Sequence, residues 1–92
     1  MPKLKTKSLE NVASTVGESE ERVLEKSLES YIGREIREAE LRIREIKRKY
    51  GVGKPSGLKE KIENEEIEGH PAWEELIEWE NLEKRVEELE SL

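Results

Sequence analysis

Between Ser19 and Tyr50 the chain runs without a proline and with one glycine, Gly33, and that stretch decides what the molecule can become. Its apolar residues, Leu24, Leu28, Ile32, Ile36, Ala39, Ile43, Ile46 and Tyr50, recur at three- and four-residue steps, the spacing of one helix face. Ser19 followed by Glu20 and Glu21 reads as the helix start, with negative charge at the positive end of the dipole. Gly33 costs such a helix about 1 kcal/mol relative to Ala without ending it. From Ile32 onward the steps follow a heptad seam. At roughly 1.5 Å per residue a helix over 19–50 spans about 45 Å, longer than a 92-residue globule needs. The sequence therefore predicts that Ile32, Ile36, Ala39, Ile43, Ile46 and Tyr50 form a self-association seam. A second copy, a foreign partner or the C-terminal helix folding back would cover it.

The remaining segments punctuate themselves. In residues 1–17, Lys3, Lys5 and Lys7 alternate with Leu4 and Thr6 in a basic tail that could be extended. A short helix follows, capped by Ser8, with Leu9, Val12, Ala13 and Val16 on one face and Gly17 at its end. Residues 51–57, Gly51-Val52-Gly53-Lys54-Pro55-Ser56-Gly57, are the clearest loop. Ser56 can cap a short helix carrying Leu58 and Ile62, and Gly69-His70-Pro71 makes another break with Pro71 suited to a first helical turn. The last predicted helix, about 71–90, carries Ala72, Trp73, Leu76, Ile77, Trp79, Leu82, Val86 and Leu89. The expected fold is all-α: a long amphipathic helix, shorter C-terminal helices, and a dimer with coiled-coil-like packing.

Composition supports a folded chain with a thin core. Charged residues make up 43% and hydrophobic ones 33%, yet the apolar positions are periodic, which those of disordered chains are not. All 23 acidic residues are Glu, and Asp, Gln, Cys and Phe are missing, a pattern that fits a thermophile proteome. Without cysteine there is no disulfide framework and no thiolate metal site. No stretch approaches a membrane span and the start lacks the apolar run of a signal peptide, so a cytoplasmic location is expected. The net charge of −6 hides an asymmetry: residues 34–54 carry +4, and residues 55–92, with 13 Glu against four Lys/Arg, carry −9.

The chemistry-bearing residues do not assemble into a catalytic set. Gly53-Lys54 resembles a phosphate loop only until Pro55, which stands where Ser or Thr must follow the lysine. His70 is the only histidine, so neither a two-histidine metal site nor a Ser-His-Asp arrangement can form within one chain. No enzyme, cofactor or metal role is expected. The band Arg34, Arg37, Arg42, Arg44, Lys47, Arg48 and Lys49 suits the negative end of the long helix and local pairs with Glu38, Glu40 and Glu45. Lys3, Lys5 and Lys7 are the cleaner candidates for nucleic-acid contact, two such tails sitting together in a dimer. Trp73 and Trp79 are six residues apart, about 120° around a helix, too far for one narrow stripe. One of them is expected to face a partner, and Trp73, Ile77, Trp79, Leu82 and Val86 are the candidate partner-binding residues.

Several short motifs also resemble a known family. Lys49-Tyr50-Gly51 closing a long charged helix, a short Leu58…Ile62-Glu63 segment, and Trp79-Glu80 followed by Leu82 are similar to the small helical antitoxins encoded beside toxin genes in archaea and cyanobacteria. Ser19 to Ile32, with Val23-Leu24-Glu25-Lys26-Ser27-Leu28, resembles the second helix of a degenerate ribbon-helix-helix, whose strand would fall in residues 2–7. The resemblance implies a protein that dimerises through its N-terminal half and wraps a cognate toxin, a basic ribonuclease encoded nearby, with residues 58–92. Occlusion needs no catalytic residue, and a −9 segment bearing Trp suits a basic surface. A structural homo-oligomer and a small DNA-binding regulator are the competing expectations.

Overall fold

A computed structural model describes residues 6–92, which fold into four helices: α1 (Thr6–Val16), α2 (Glu20–Tyr50), α3 (Pro55–Glu63) and α4 (Gly69–Glu90). The described residues contain no strand, as the helical periodicity predicts. The chain divides into two compact units, Met1–Gly33 and Arg34–Leu92, with α2 continuing from the first into the second.

In the first unit α1 stops at Gly17, whose φ of +74° is the left-handed conformation that ends a helix at little steric cost. The Glu18 N–H reaches back to the Ala13 carbonyl at 3.0 Å, closing the terminal turn. Helix α2 starts where expected, with the Arg22 N–H donating to Ser19 Oγ at 3.1 Å. Lys26 pairs with Glu18 across the turn. Thr6 and Lys7 are helical, so a strand over residues 2–7 does not include them; residues 2–5 lie outside the described part.

The second unit is organised by the chain reversal after Tyr50. Gly51 adopts φ +66°, and the Gly51 and Val52 N–H groups both reach the Lys47 carbonyl, at 2.8 and 3.2 Å. Helix α3 begins earlier than the sequence suggests, because Pro55, with its fixed φ, fills the first helical turn. Lys54, not Ser56, is the residue before it, and no side chain caps the helix. Lys61 on α3 donates to the Tyr50 carbonyl at 3.0 Å, satisfying an open end of α2. At the other break His70 is extended (φ −122°, ψ 122°), and continuous helical geometry runs from Pro71.

These turns lay α3 and α4 on the C-terminal part of α2. The core is Ile43 and Ile46 from α2, Leu58 from α3, and Ala72, Leu76 and Trp79 from α4. Tyr50, Val52, Ile62, Ile67 and Leu82 pack around it. Trp79, Ile46 and Leu58 are fully enclosed, and burying each such side chain contributes about 1.5–3 kcal/mol. Of the three covers the seam could have had, its C-terminal half takes the chain's own tail.

Candidate interaction surfaces

Arg42, Lys49 and Tyr50 stand seven and eight residues apart, on one side of α2, and Glu75 and Glu78 lie one turn apart on α4. Glu75 projects from the same face of α4 as Ala72, Leu76 and Trp79, and is the one charged residue buried among them. Its Oε1 accepts from Lys49 Nζ at 2.7 Å and from the Tyr50 hydroxyl, and its Oε2 accepts from Arg42 Nη2 at 3.1 Å. Arg42 also grips Glu78, Nε to Oε2 and Nη2 to Oε1, both at 2.8 Å. The Lys49 ammonium stands 5.3 Å from the centre of the Tyr50 ring, close enough for a cation–π attraction.

Burial pushes the Glu75 carboxyl up, but hydrogen bonds from Lys49 and Tyr50 and the charges of Lys49 and Arg42 more than offset it. The net result lies below the usual Glu range. The Arg42 hydrogen bond lowers Glu78 in the same direction. A carboxylate held charged by three donors is a poor proton acceptor near neutrality. The cluster is a clamp joining α2 to α4.

The structure distributes the sequence's candidates unevenly. Ile43 and Ile46 are core, and Tyr50 packs on it with its hydroxyl on Glu75, so these three do not form a free seam. Ala39 is buried, and Ile32 and Ile36 are half-buried. Trp79, expected among the partner-facing residues, is wholly enclosed, and Leu82 packs against the same core. The reason is the wide apolar face of α4: Ala72, Leu76 and Trp79 fall in one row at the spacing of a buried stripe. Trp73 and Ile77, one turn apart on the flank of α4 beside that row, remain 46% and 45% exposed. Val86 lines an open groove of about 570 Å³ with Ile43, between Glu40, Arg44 and Lys47 on α2 and Glu83, Glu87 and Glu90 on α4. Lys3 and Lys5 lie outside the described residues, and Lys7 falls in the first turn of α1.

The expected pairing within α2 is present at Glu45, whose Oε2 lies 3.4 Å from Arg42 Nη1, but sequence reasoning missed the Arg42–Glu75–Glu78 clamp. The signal was present: Glu75 interrupts an apolar row, and a charge there needs partners from elsewhere. It also missed the exposed apolar residues of the first unit. There Val12, Val16, Leu24, Leu28 and Tyr31 face solvent, and Ala13 is the only buried hydrophobic residue among the described ones.

Among the described residues no group of histidines and carboxylates is placed to hold a metal ion. No described helix is long and apolar enough to cross a membrane. The model of the uncharacterized protein MJ0235 family matches residues 1–92. No curated protein and no solved structure matches the chain.

Proposed function

The chain belongs to the uncharacterized protein MJ0235 family, and from that premise we propose that it acts by binding: an antitoxin-like cytoplasmic protein that covers a basic toxin, a ribonuclease in the first instance. The observation that supports this most is the pair Trp73 and Ile77, two large apolar side chains exposed one turn apart on α4. Around them Glu74 and Glu80 are exposed on the same helix, within a segment of net −9. An exposed Trp beside an aliphatic anchor, ringed by carboxylates, suits a partner with an apolar notch in a basic surface. The clamp and core below hold α4 in place, so little ordering is needed on binding. Trp79 and Leu82 then act indirectly, as the support of that face.

Co-expression with the adjacently encoded basic protein tests this. A stable complex and rescue of growth are expected, and Trp73→Ala with Ile77→Ala should weaken the complex about 100-fold while leaving the fold intact. No complex and no rescue would remove the antitoxin assignment.

The competing role as a structural homo-oligomer draws on a different observation, the uncovered apolar residues of the first unit. DNA binding through Lys3, Lys5 and Lys7 predicts affinity that falls steeply with salt and vanishes when the three become Ala.

A further inference from the structure

Within the first unit Leu24, Leu28 and Tyr31 lie on one α2 face about 60° wide, and they are 50%, 60% and 58% exposed. Val12 and Val16 on α1 are exposed as well. The three α2 side chains present roughly 300 Å² of accessible surface per copy, and Val12 and Val16 add roughly 150 Å² on α1, against about 800 Å² per partner in a standard interface. Single exposed leucines need no explanation, but a patch of several hundred Å² does.

The unit buries little apolar surface of its own, with Ala13 its one buried hydrophobic residue among those described. Residues 1–33 fall below the size, about 40 residues, at which a chain is stable on its own core. Helix α1, with 11 residues, is shorter than isolated helices that persist in water. A cover for this face would therefore add apolar burial that the unit lacks by itself. A second copy would supply that burial, and the charges suit it. Residues 18–25 carry net −3 and residues 30–37 net +1, so two α2 helices laid antiparallel about Ser27 and Leu28 set the acidic stretch of each against the basic stretch of the other. A parallel pairing would set −3 against −3.

We propose that the face formed by Leu24, Leu28 and Tyr31 is a homodimer interface. Two α2 helices cross antiparallel on a two-fold axis near Ser27, with α1 of each copy, through Val12 and Val16, flanking the contact. This relocates self-association from the Ile32–Tyr50 seam, whose C-terminal half is core, to the preceding turns of the same helix. It is independent of the toxin-binding proposal. A C2 contact of this kind is self-complementary by symmetry.

Sedimentation of the full chain from about 1 to about 100 µM tests it. A dimer is expected, with Leu28→Glu raising its dissociation constant about 100-fold because the change enters the interface twice. Leu41→Glu, an equally exposed leucine outside the face, should leave it unchanged. The chain has no native cysteine, so Ser27→Cys alone should form a disulfide-linked dimer on mild oxidation while Glu20→Cys should not. A monomer across the range, or equal dimers from the wild type and Leu28→Glu, overturns the interface. Cross-linking through Glu20→Cys overturns the antiparallel arrangement. Should Leu28→Glu lose helicity by circular dichroism, the cysteine pair decides instead.

Discussion

Arg42 and Glu78 meet fork to fork, with Nε and Nη2 donating to the two carboxylate oxygens at 2.8 Å each, while the same Nη2 reaches the buried Glu75. A planar guanidinium can serve both glutamates at once, and a lysine ammonium cannot reproduce that geometry. Arg42→Lys should therefore destabilise residues 34–92 by about 1 kcal/mol although the charge is kept, and Arg42→Met by about 2 kcal/mol. Both figures are reduced for the partial exposure of Arg42 and Glu78. Urea unfolding of the two variants beside the wild type measures this; equal midpoints for Arg42→Lys and the wild type would show that charge alone suffices.

The clamp also sets a pH window. Glu75 and Glu78 have folded-state values below the ordinary Glu range, so their contribution is present above about pH 4.3 and is lost as pH falls through the lowered values. Burial and the hydrogen bond to Glu75 raise Tyr50, and the hydrogen bond to Glu75 raises Lys49. Their contributions are present below about pH 10 and are lost as pH rises through the raised values. Stability should be flat between about pH 5 and 9 and fall on both sides. Glu75→Gln should shrink both limbs without removing either, since Arg42 still lowers Glu78 and burial still raises Tyr50. Melting temperatures across the range give the profile, and an unchanged profile in Glu75→Gln would place the pH dependence elsewhere.

The long helix, its Ser19 start, the Gly17 and Gly51 ends and the all-α class are legible in the sequence because each rests on local chemistry: periodicity, a capping hydroxyl, a glycine with positive φ. What covers each apolar row was not legible. Ile43, Trp79 and Leu28 are all apolar residues at helical spacing, yet two are core and one faces solvent. The difference comes from the chain reversal at Gly51 and Pro55, which brings α3 and α4 onto α2. Periodicity marks a face that needs cover without saying by what. Trp73 and Trp79 illustrate the same limit. Their 120° separation shows that both cannot share one stripe, but only the packing of Leu76 and Ala72 decides which of them is inside.

Glu65 is the one described non-glycine residue at positive φ (57°), and it ends α3 as Gly17 ends α1. The Glu66 N–H closes that turn on the Lys61 carbonyl at 2.9 Å. A side chain in this conformation costs about 1–2 kcal/mol, part of which glycine returns after its own entropy is counted. Glu65→Gly should stabilise residues 34–92 by about 0.5–1 kcal/mol and remove one negative charge from an acidic stretch. Chemical denaturation measures it, and a destabilised variant would mean that the Glu65 side chain makes a contribution larger than its backbone strain.

The two tryptophans separate core from surface in one experiment. Trp73→Phe leaves Trp79 as the only indole, fully enclosed, so emission should be blue-shifted and nearly immune to iodide. Trp79→Phe leaves Trp73, which should emit near the wavelength of exposed indole and quench readily. Energetically the pair is unequal too. Trp79→Ala opens a cavity beneath Ile46 and Leu58 and should cost about 3–5 kcal/mol, enough to unfold a unit of this size. Trp79→Phe should cost only about 1–2 kcal/mol, because the indole N–H it removes has no hydrogen-bond acceptor among the described residues and an unsatisfied buried donor is itself destabilising. A loss as large in Trp79→Phe as in Trp79→Ala would mean that the indole N–H adds to stability instead of subtracting from it.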